Sequence, residues 1–135
     1  MNRGEFQGLS QTRLDDSRIL LDAGQYSGSY YLGGYSVECA LKACIVKNIQ
    51  AAVLPPKGFV DKIYTHDLTK LLGLARLDNE EPLGGDADLN VNWATVKDWS
   101  EQFRYSESTE HEARELLSAI EDQTHGVLVW LKQHW

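Results

Sequence analysis

The feature that most constrains this chain is an apolar segment at residues 26–47. Between Tyr31 and Val46 only Glu38 and Lys42 are charged, and apolar residues fall on every side of a helix drawn through the segment. A helix that is hydrophobic all round is normally buried on most of its surface. The stretch from Tyr31 to Val46 is also too short and too charged to span a membrane. We therefore predict a central helix that other helices enclose.

Small residues inside this segment predict a close approach by a neighbouring helix. A glycine in a helix interior costs about 1 kcal/mol relative to alanine, so the adjacent Gly33 and Gly34 need an explanation. Either a neighbour packs tightly against them, or a ligand lies against the backbone. We favour packing.

The two charges of the segment also need an explanation. Glu38 and Lys42 are one helical turn apart and can pair, and they share a face with Tyr31 and Tyr35. A charge on so apolar a helix normally has a partner or a task. One interpretation is an ion pair or hydrogen-bond network that ties helices together. The other is that Glu38 shapes a polar cleft with Arg104.

The rest of the chain contains four further helical patterns and two loops. The loops are residues 48–62 and the acidic residues 78–88. No alternating strand pattern and no repeat is visible. We therefore expect one domain over residues 1–135, an all-α, up-and-down bundle of about five helices. The four predicted helices are residues 9–23 with Gly24 as C-cap, residues 66–77 with Thr65 as N-cap, residues 91–103, and residues 113–131 with a start near Ser108 or Thr109.

Composition limits the function and the location. The net charge is −7, from 13 basic and 20 acidic residues, which argues against a general nucleic-acid binder but allows a local basic pocket. Cys39 and Cys44 face apart on one helix, about 140° from each other, so we expect buried, reduced thiols. Residues 1–10 have no apolar core, so we expect no signal peptide and a cytoplasmic protein without membrane association.

Residues 24–43, with the sequence GQYSGSYYLGGYSVECALKA, resemble the second helix of bacterial HEPN-domain proteins. The VECALK run at residues 37–42 is the most specific part of the resemblance. Residues 13–23 resemble the first helix of that family, and residues 65–68 resemble the start of its middle helix. Arg104 and Tyr105 resemble the lead-in to its last helix.

The resemblance implies a helical bundle that is often dimeric. It implies either of two functions. One is binding of RNA or a nucleotide, with metal-independent endoribonuclease activity of the toxin–antitoxin type. The alternative is a non-catalytic binding and dimerisation module that acts with a nucleotidyltransferase partner. We expect a homodimer, no cofactor and no metal.

Arg104 and His111 are the candidate catalytic residues. Six residues separate them, the upper limit of the Arg–His spacing that the family's ribonucleases carry. An arginine fork can hold a scissile phosphate, and a neutral histidine can take the proton of the attacking 2′-hydroxyl. Short motifs also arise by chance, and acids flank His111. Arg104 alone could bind phosphate or pair with Glu38.

Four further residues are candidates for binding, namely Glu38, Lys42, Tyr35 and Tyr105. A tyrosine can stack on a base, although core packing or a dimer contact would equally explain Tyr35. His66 is predicted to cap or pack at a helix start. We find no phosphate-binding loop and no metal-binding motif.

Overall fold

The computed structural model describes residues 1–49, 53–79 and 83–135. These residues form seven α-helices and two short 3₁₀ helices, with no strand, which confirms the all-α prediction. The predicted loops at 48–62 and 78–88 fall partly outside the described residues, at 50–52 and 80–82. The first loop prediction is wrong at residues 57–62, which are helical. The α-helices are α1 (Arg3–Asp22), α2 (Tyr26–Asn48), α3 (Lys57–Ile63), α4 (Leu68–Leu74), α5 (Ala87–Val96), α6 (Glu110–Glu121) and α7 (Val127–Leu131). The 3₁₀ helices are Leu83–Gly85 and Glu101–Tyr105.

Helix α2 is the centre of the fold, as its apolar surface predicts. It contacts α1, α4, α6, α7 and the 3₁₀ helix Glu101–Tyr105, and every residue from 36 to 45 is buried. The thiols of Cys39 and Cys44 are both free and buried, and burial raises the pKa of each to about 12. Among the described helices, none has both the length and the apolar character that crossing a bilayer requires.

Small side chains let α1 lie close against α2. The Ser10 hydroxyl donates to the Ser36 carbonyl at 2.7 Å, and Ser17 and Ser29 donate to each other's carbonyls at 2.7 and 2.8 Å. A Cβ atom added at Gly33 would lie 3.2 Å from the Ser17 hydroxyl oxygen. These contacts support helix packing, and not a ligand, as the explanation for Gly33.

The explanation for Gly34 is the indole of Trp99. A Cβ atom at Gly34 would lie less than 3.0 Å from three atoms of that indole, a distance that real Cβ contacts almost never show. Trp99 is only 1% exposed, and its ring centroid is 5.8 Å from that of Tyr31. The indole therefore sits directly on the α2 backbone, and only glycine leaves it room.

Several predicted helices differ from the observed ones at their ends. The helix predicted over 91–103 starts earlier, at Ala87, and ends at Val96. The extended Ser100 then starts the separate 3₁₀ helix, with its hydroxyl accepting from the Gln102 amide at 3.3 Å. The predicted N-cap Thr65 is wrong, because the Asp67 carboxylate caps α4 by accepting from the Lys70 amide at 3.1 Å.

The predicted helix 113–131 is also interrupted. Its start is confirmed, since Thr109 caps α6 in a reciprocal capping box with Glu112. After Glu121, the Asp122 carboxylate accepts from the amides of Thr124 and His125 at 2.9 and 2.8 Å, and these bonds replace helical ones. Periodicity hid the break because α6 and α7 both pack against α2.

His125 joins this break to the start of α5. Its Nδ1 lies 2.6 Å from Asp86 Oδ2, while Oδ1 of the same carboxylate caps α5 through the Asp88 and Leu89 amides. This contact raises the pKa of His125 and lowers that of Asp86. The charged pair therefore persists between the lowered carboxyl pKa and the raised imidazole pKa.

We expect Asp86→Asn to remove a pH-dependent stabilisation while keeping the cap, because asparagine caps helices as well as aspartate does. Because the folded-state pKa of His125 is raised above the unfolded value of about 6.5, its pair with Asp86 stabilises the protein fully below pH 6.5. That contribution disappears as pH rises through the folded pKa. The melting temperatures of wild type and D86N should therefore differ most near pH 5.5 and converge above the folded pKa. A difference that stays constant from pH 5.5 to 9 would contradict this assignment.

Candidate functional site

A buried acid–base pair lies at the middle of α2. Lys42 Nζ is 3.3 Å from Glu38 Oε2, and the residues are only 8% and 2% exposed. The predicted pairing of these residues is therefore present. The second carboxylate oxygen, Glu38 Oε1, lies 2.7 Å from His66 Nδ1.

His66 extends this pair to a distant part of the chain. Its Nε2 is 3.1 Å from Glu101 Oε2, so the ring lies between two carboxylates. The resulting Glu38–Lys42–His66–Glu101 network joins α2, the turn before α4 and the 3₁₀ helix Glu101–Tyr105. Of the two roles predicted for His66, capping is wrong, because the Asp67 carboxylate caps α4; the ring instead packs between the two carboxylates. The sequence held no signal that brings His66 to Glu101.

Aromatic rings hold the same 3₁₀ helix against α2. Tyr30 packs on Phe103 with ring centroids 4.8 Å apart, and Tyr31 lies between Tyr35 at 6.2 Å and Trp99 at 5.8 Å. Burial is the largest cause of the raised pKa of Tyr35. The structure therefore places Tyr35 in a packed aromatic row beside the network.

Arg104 and Tyr105 lie on the outer side of this 3₁₀ helix. Both are exposed, and the guanidinium carbon is 4.8 Å from the centroid of the Tyr105 ring. The close contact with Tyr105 raises the pKa of Arg104, so the side chain stays cationic. Within residues 1–49, 53–79 and 83–135, Arg104 forms no salt bridge. The alternative that Arg104 pairs with Glu38 is therefore wrong, since Glu38 contacts Lys42 and His66 instead.

His111 lies in the first turn of α6, and its side chain is 87% exposed. Its Nε2 is 3.2 Å from Glu115 Oε2. Among the described residues, no hydrogen bond or salt bridge joins Arg104 to His111. Each side chain therefore has its own neighbour, Tyr105 for Arg104 and Glu115 for His111.

A polar groove of about 500 Å³ lies beside the network. Two parts of the chain that are distant in sequence form its walls, the turn before α4 and residues 97–102. Hydroxyls, a lysine and carboxylates line it, so it can both donate and accept hydrogen bonds. Its charged lining is acidic, with Asp67, Asp98 and Glu101 against Lys97, and its other lining residues include Thr65, His66, Thr69 and Ser100.

One group of side chains has the composition of a metal site. Asp86, Asp88 and His125 each bring a ligand atom within 4.8 Å of the others. Two of these side chains already have structural partners, because Asp86 caps α5 and bonds to His125. We therefore assign the group to stability.

These features define a helical protein whose central helix carries a buried acid–base pair, extended by a histidine to an exposed Arg–Tyr segment. A family model described as "HEPN domain" matches residues 10–133, nearly the whole chain. The protein belongs to the HEPN family, and the resemblance of residues 24–43 is thereby confirmed. Among curated proteins and among solved structures, no match was found.

Proposed function

We propose that the protein binds RNA or a nucleotide at the surface that carries Arg104 and Tyr105. The observation that carries this proposal is that Arg104 lies over the Tyr105 ring with no carboxylate partner among the described residues. Arg13, Arg18 and Arg114 each pair with an acid. Arg3 and Arg76 also form no salt bridge among the described residues, but Arg104 is the one arginine of the described residues that lies over an aromatic ring. A guanidinium without such a partner can bind a phosphate through two hydrogen bonds, and an exposed tyrosine can stack on a base.

The other candidate binding residues support this surface from beneath. Glu38 and Lys42 are buried, so their part in the proposal is to hold His66 and, through it, the segment 101–105. Tyr35 has the same part, through the aromatic row that packs this segment on α2. They are positioning residues in this proposal, and only Arg104 and Tyr105 would touch the ligand.

The binding test is the affinity for a fluorescein-labelled single-stranded RNA of twelve nucleotides, measured by anisotropy. Arg104→Ala should weaken binding by about tenfold or more, because a charge-assisted hydrogen bond contributes about that much. Arg114→Ala is the matched control, since it removes an equal charge that Glu110 already neutralises. Equal weakening by both variants, or no binding by the wild type, would contradict the proposal.

A second candidate function is metal-independent RNA cleavage, with Arg104 on the phosphate and His111 as the base. It is favoured by the exposure of both side chains on the segment that leads from residue 101 into α6. Wild type should then cut RNA in EDTA, and Arg104→Ala and His111→Ala should each abolish cleavage, whereas His134→Ala should not. Cleavage retained in both variants would contradict this assignment.

The partner proposals follow from the same family. We propose a homodimer, which light scattering after size exclusion would detect as twice the mass of 15.2 kDa. A wild type that binds RNA without cutting it, and that co-purifies with a nucleotidyltransferase, would favour the non-catalytic module. A protein that is a monomer and captures no partner would contradict that alternative.

A further inference from the structure

A second groove lies beside the polar one, where α3 leads into α4. Its volume is about 620 Å³, and it is lined by Lys62, Tyr64, Thr65, Lys70 and Leu74 together with Asp61 and Gly73. Tyr64 is 75% exposed. The exposed ring of Tyr64 therefore shares this groove with the amino groups of Lys62 and Lys70.

The charge of this region is opposite to that of the protein. The chain as a whole carries −7, but residues 57–76 hold four basic side chains against two acids. Lys57, Lys62, Lys70 and Arg76 form no salt bridge among the described residues. Lys62 and Lys70 line this groove with one acid, Asp61, whereas Arg76 lines a separate groove beside Trp130. An anion that the rest of the surface repels would therefore meet an excess of one positive charge in this groove.

The two grooves form one path to the Arg104 surface. Thr65 lines both of them. The polar groove continues from Thr65 to Glu101 and Gln102, on the same short helix that carries Arg104. Tyr64, which lines the first groove, is 75% exposed, and Tyr105, three residues beyond the last lining residue of the polar groove, is 73% exposed.

We propose that single-stranded RNA follows this path, with a base stacked on Tyr64 and phosphates held by Lys62 and Lys70. This inference rests on the proposed binding of RNA at Arg104. Binding sites for single strands combine cationic grooves with aromatic platforms in this way. The acids of the polar groove, Glu101 among them, repel phosphate but accept hydrogen bonds from exocyclic amino groups of bases. The phosphate contacts therefore fall at the two ends of the path.

A single strand fits this path better than a duplex. Stacking on Tyr64 needs an unpaired base whose face is free. A duplex keeps its bases stacked inside and presents phosphates along its whole length, including opposite the acidic middle of the path. We therefore expect a twelve-nucleotide single strand to bind more tightly than a twelve-base-pair RNA duplex.

The test uses the same labelled single strand and the full-length protein. Tyr64→Ala should weaken binding by about fivefold or more, the usual effect of losing one stacked base. Tyr64→Phe keeps the ring and should bind as the wild type does. Lys62→Gln with Lys70→Gln should lower the slope of log K against log salt by about 0.7 for each lost phosphate contact. Lys132→Gln is the charge control and should leave that slope unchanged.

The outcomes separate this inference from the proposed function. Wild-type affinity in both Tyr64→Ala and the double lysine variant, with weak binding by Arg104→Ala, would overturn the inference and keep the Arg104 site. Weak binding by the Tyr64 and lysine variants alone would support the inference and remove Arg104 from the site. No binding by the wild type, or tighter binding of the duplex, would overturn the RNA path. Crosslinks of 4-thiouridine RNA should map to residues 57–74, and their absence there would also contradict it.

Discussion

Replacing Gly34 with alanine should lower the free energy of unfolding by about 3 kcal/mol or more, the upper range for overpacking a core. The added methyl would lie less than 3.0 Å from several atoms of the Trp99 ring. That indole cannot move aside easily, because it is 1% exposed and packs beside Tyr31. Urea unfolding followed by circular dichroism measures the change.

The matched control for this variant is Gly8→Ala. Gly8 also lies inside a long helix, α1, but nothing is within 4 Å of an added Cβ atom there. The substitution should raise stability by up to about 1 kcal/mol, since alanine is the better helix former. An unfolding midpoint of Gly34→Ala equal to that of the wild type would show that Trp99 does not constrain α2.

Replacing Glu38 with glutamine should cost about 3 kcal/mol, because it leaves the ammonium of Lys42 buried without a charged partner. Lys42 is only 8% exposed, so water replaces little of the interaction with the carboxylate. Glutamine has nearly the same shape and can still bond to His66. The decrease in the free energy of unfolding would therefore come from the lost charge and not from altered packing.

The double variant Glu38→Gln with Lys42→Met is the control for this prediction. Removing both charges of a buried pair often costs little, since neither remains unpaired. We expect the double variant to be more stable than Glu38→Gln alone, with the difference read from urea midpoints at pH 7. Losses that add in the double variant would show that the two charges are not coupled.

The sequence predicted the elements whose signal is local and continuous. The apolar run at 26–47 predicted α2 to within one residue of its observed end. The prediction is accurate because a helix buried on all sides has a continuous run of apolar residues. The Glu38–Lys42 pair followed from helical spacing alone. The start of α6 was predicted at Ser108 or Thr109, and the capping box of Thr109 with Glu112 is at the second of these residues.

The sequence missed the breaks and the long-range contacts. Ser100 and Asp122 turn the chain through their own side chains, but apolar residues continue on the same face beyond each of them. Periodicity reads such a stretch as one helix. The contact of His66 with Glu101 depends on how α4 and the 3₁₀ helix Glu101–Tyr105 pack on α2, which no local pattern reports.

For the candidate site, the sequence predicted which residues take part, and the structure shows which groups surround them. Arg104 and Tyr105 were singled out by resemblance, and the structure puts the guanidinium on the ring. The roles of Arg104 and His111 in chemistry remain predictions. No local pattern predicts the groove at Tyr64, because its two lysines are spread among apolar and acidic residues along the chain.

The 3₁₀ helix Glu101–Tyr105 is only five residues long, yet three separate contacts hold it and the residues just before it in place. Its first residue meets His66, Phe103 packs on Tyr30, and Trp99 rests on Gly34 just before it. The backbone that presents Arg104 therefore loses its conformational freedom when the protein folds and not when a ligand arrives. Such preorganisation leaves more of the contact energy available as affinity, so even a small ligand could be held by few contacts.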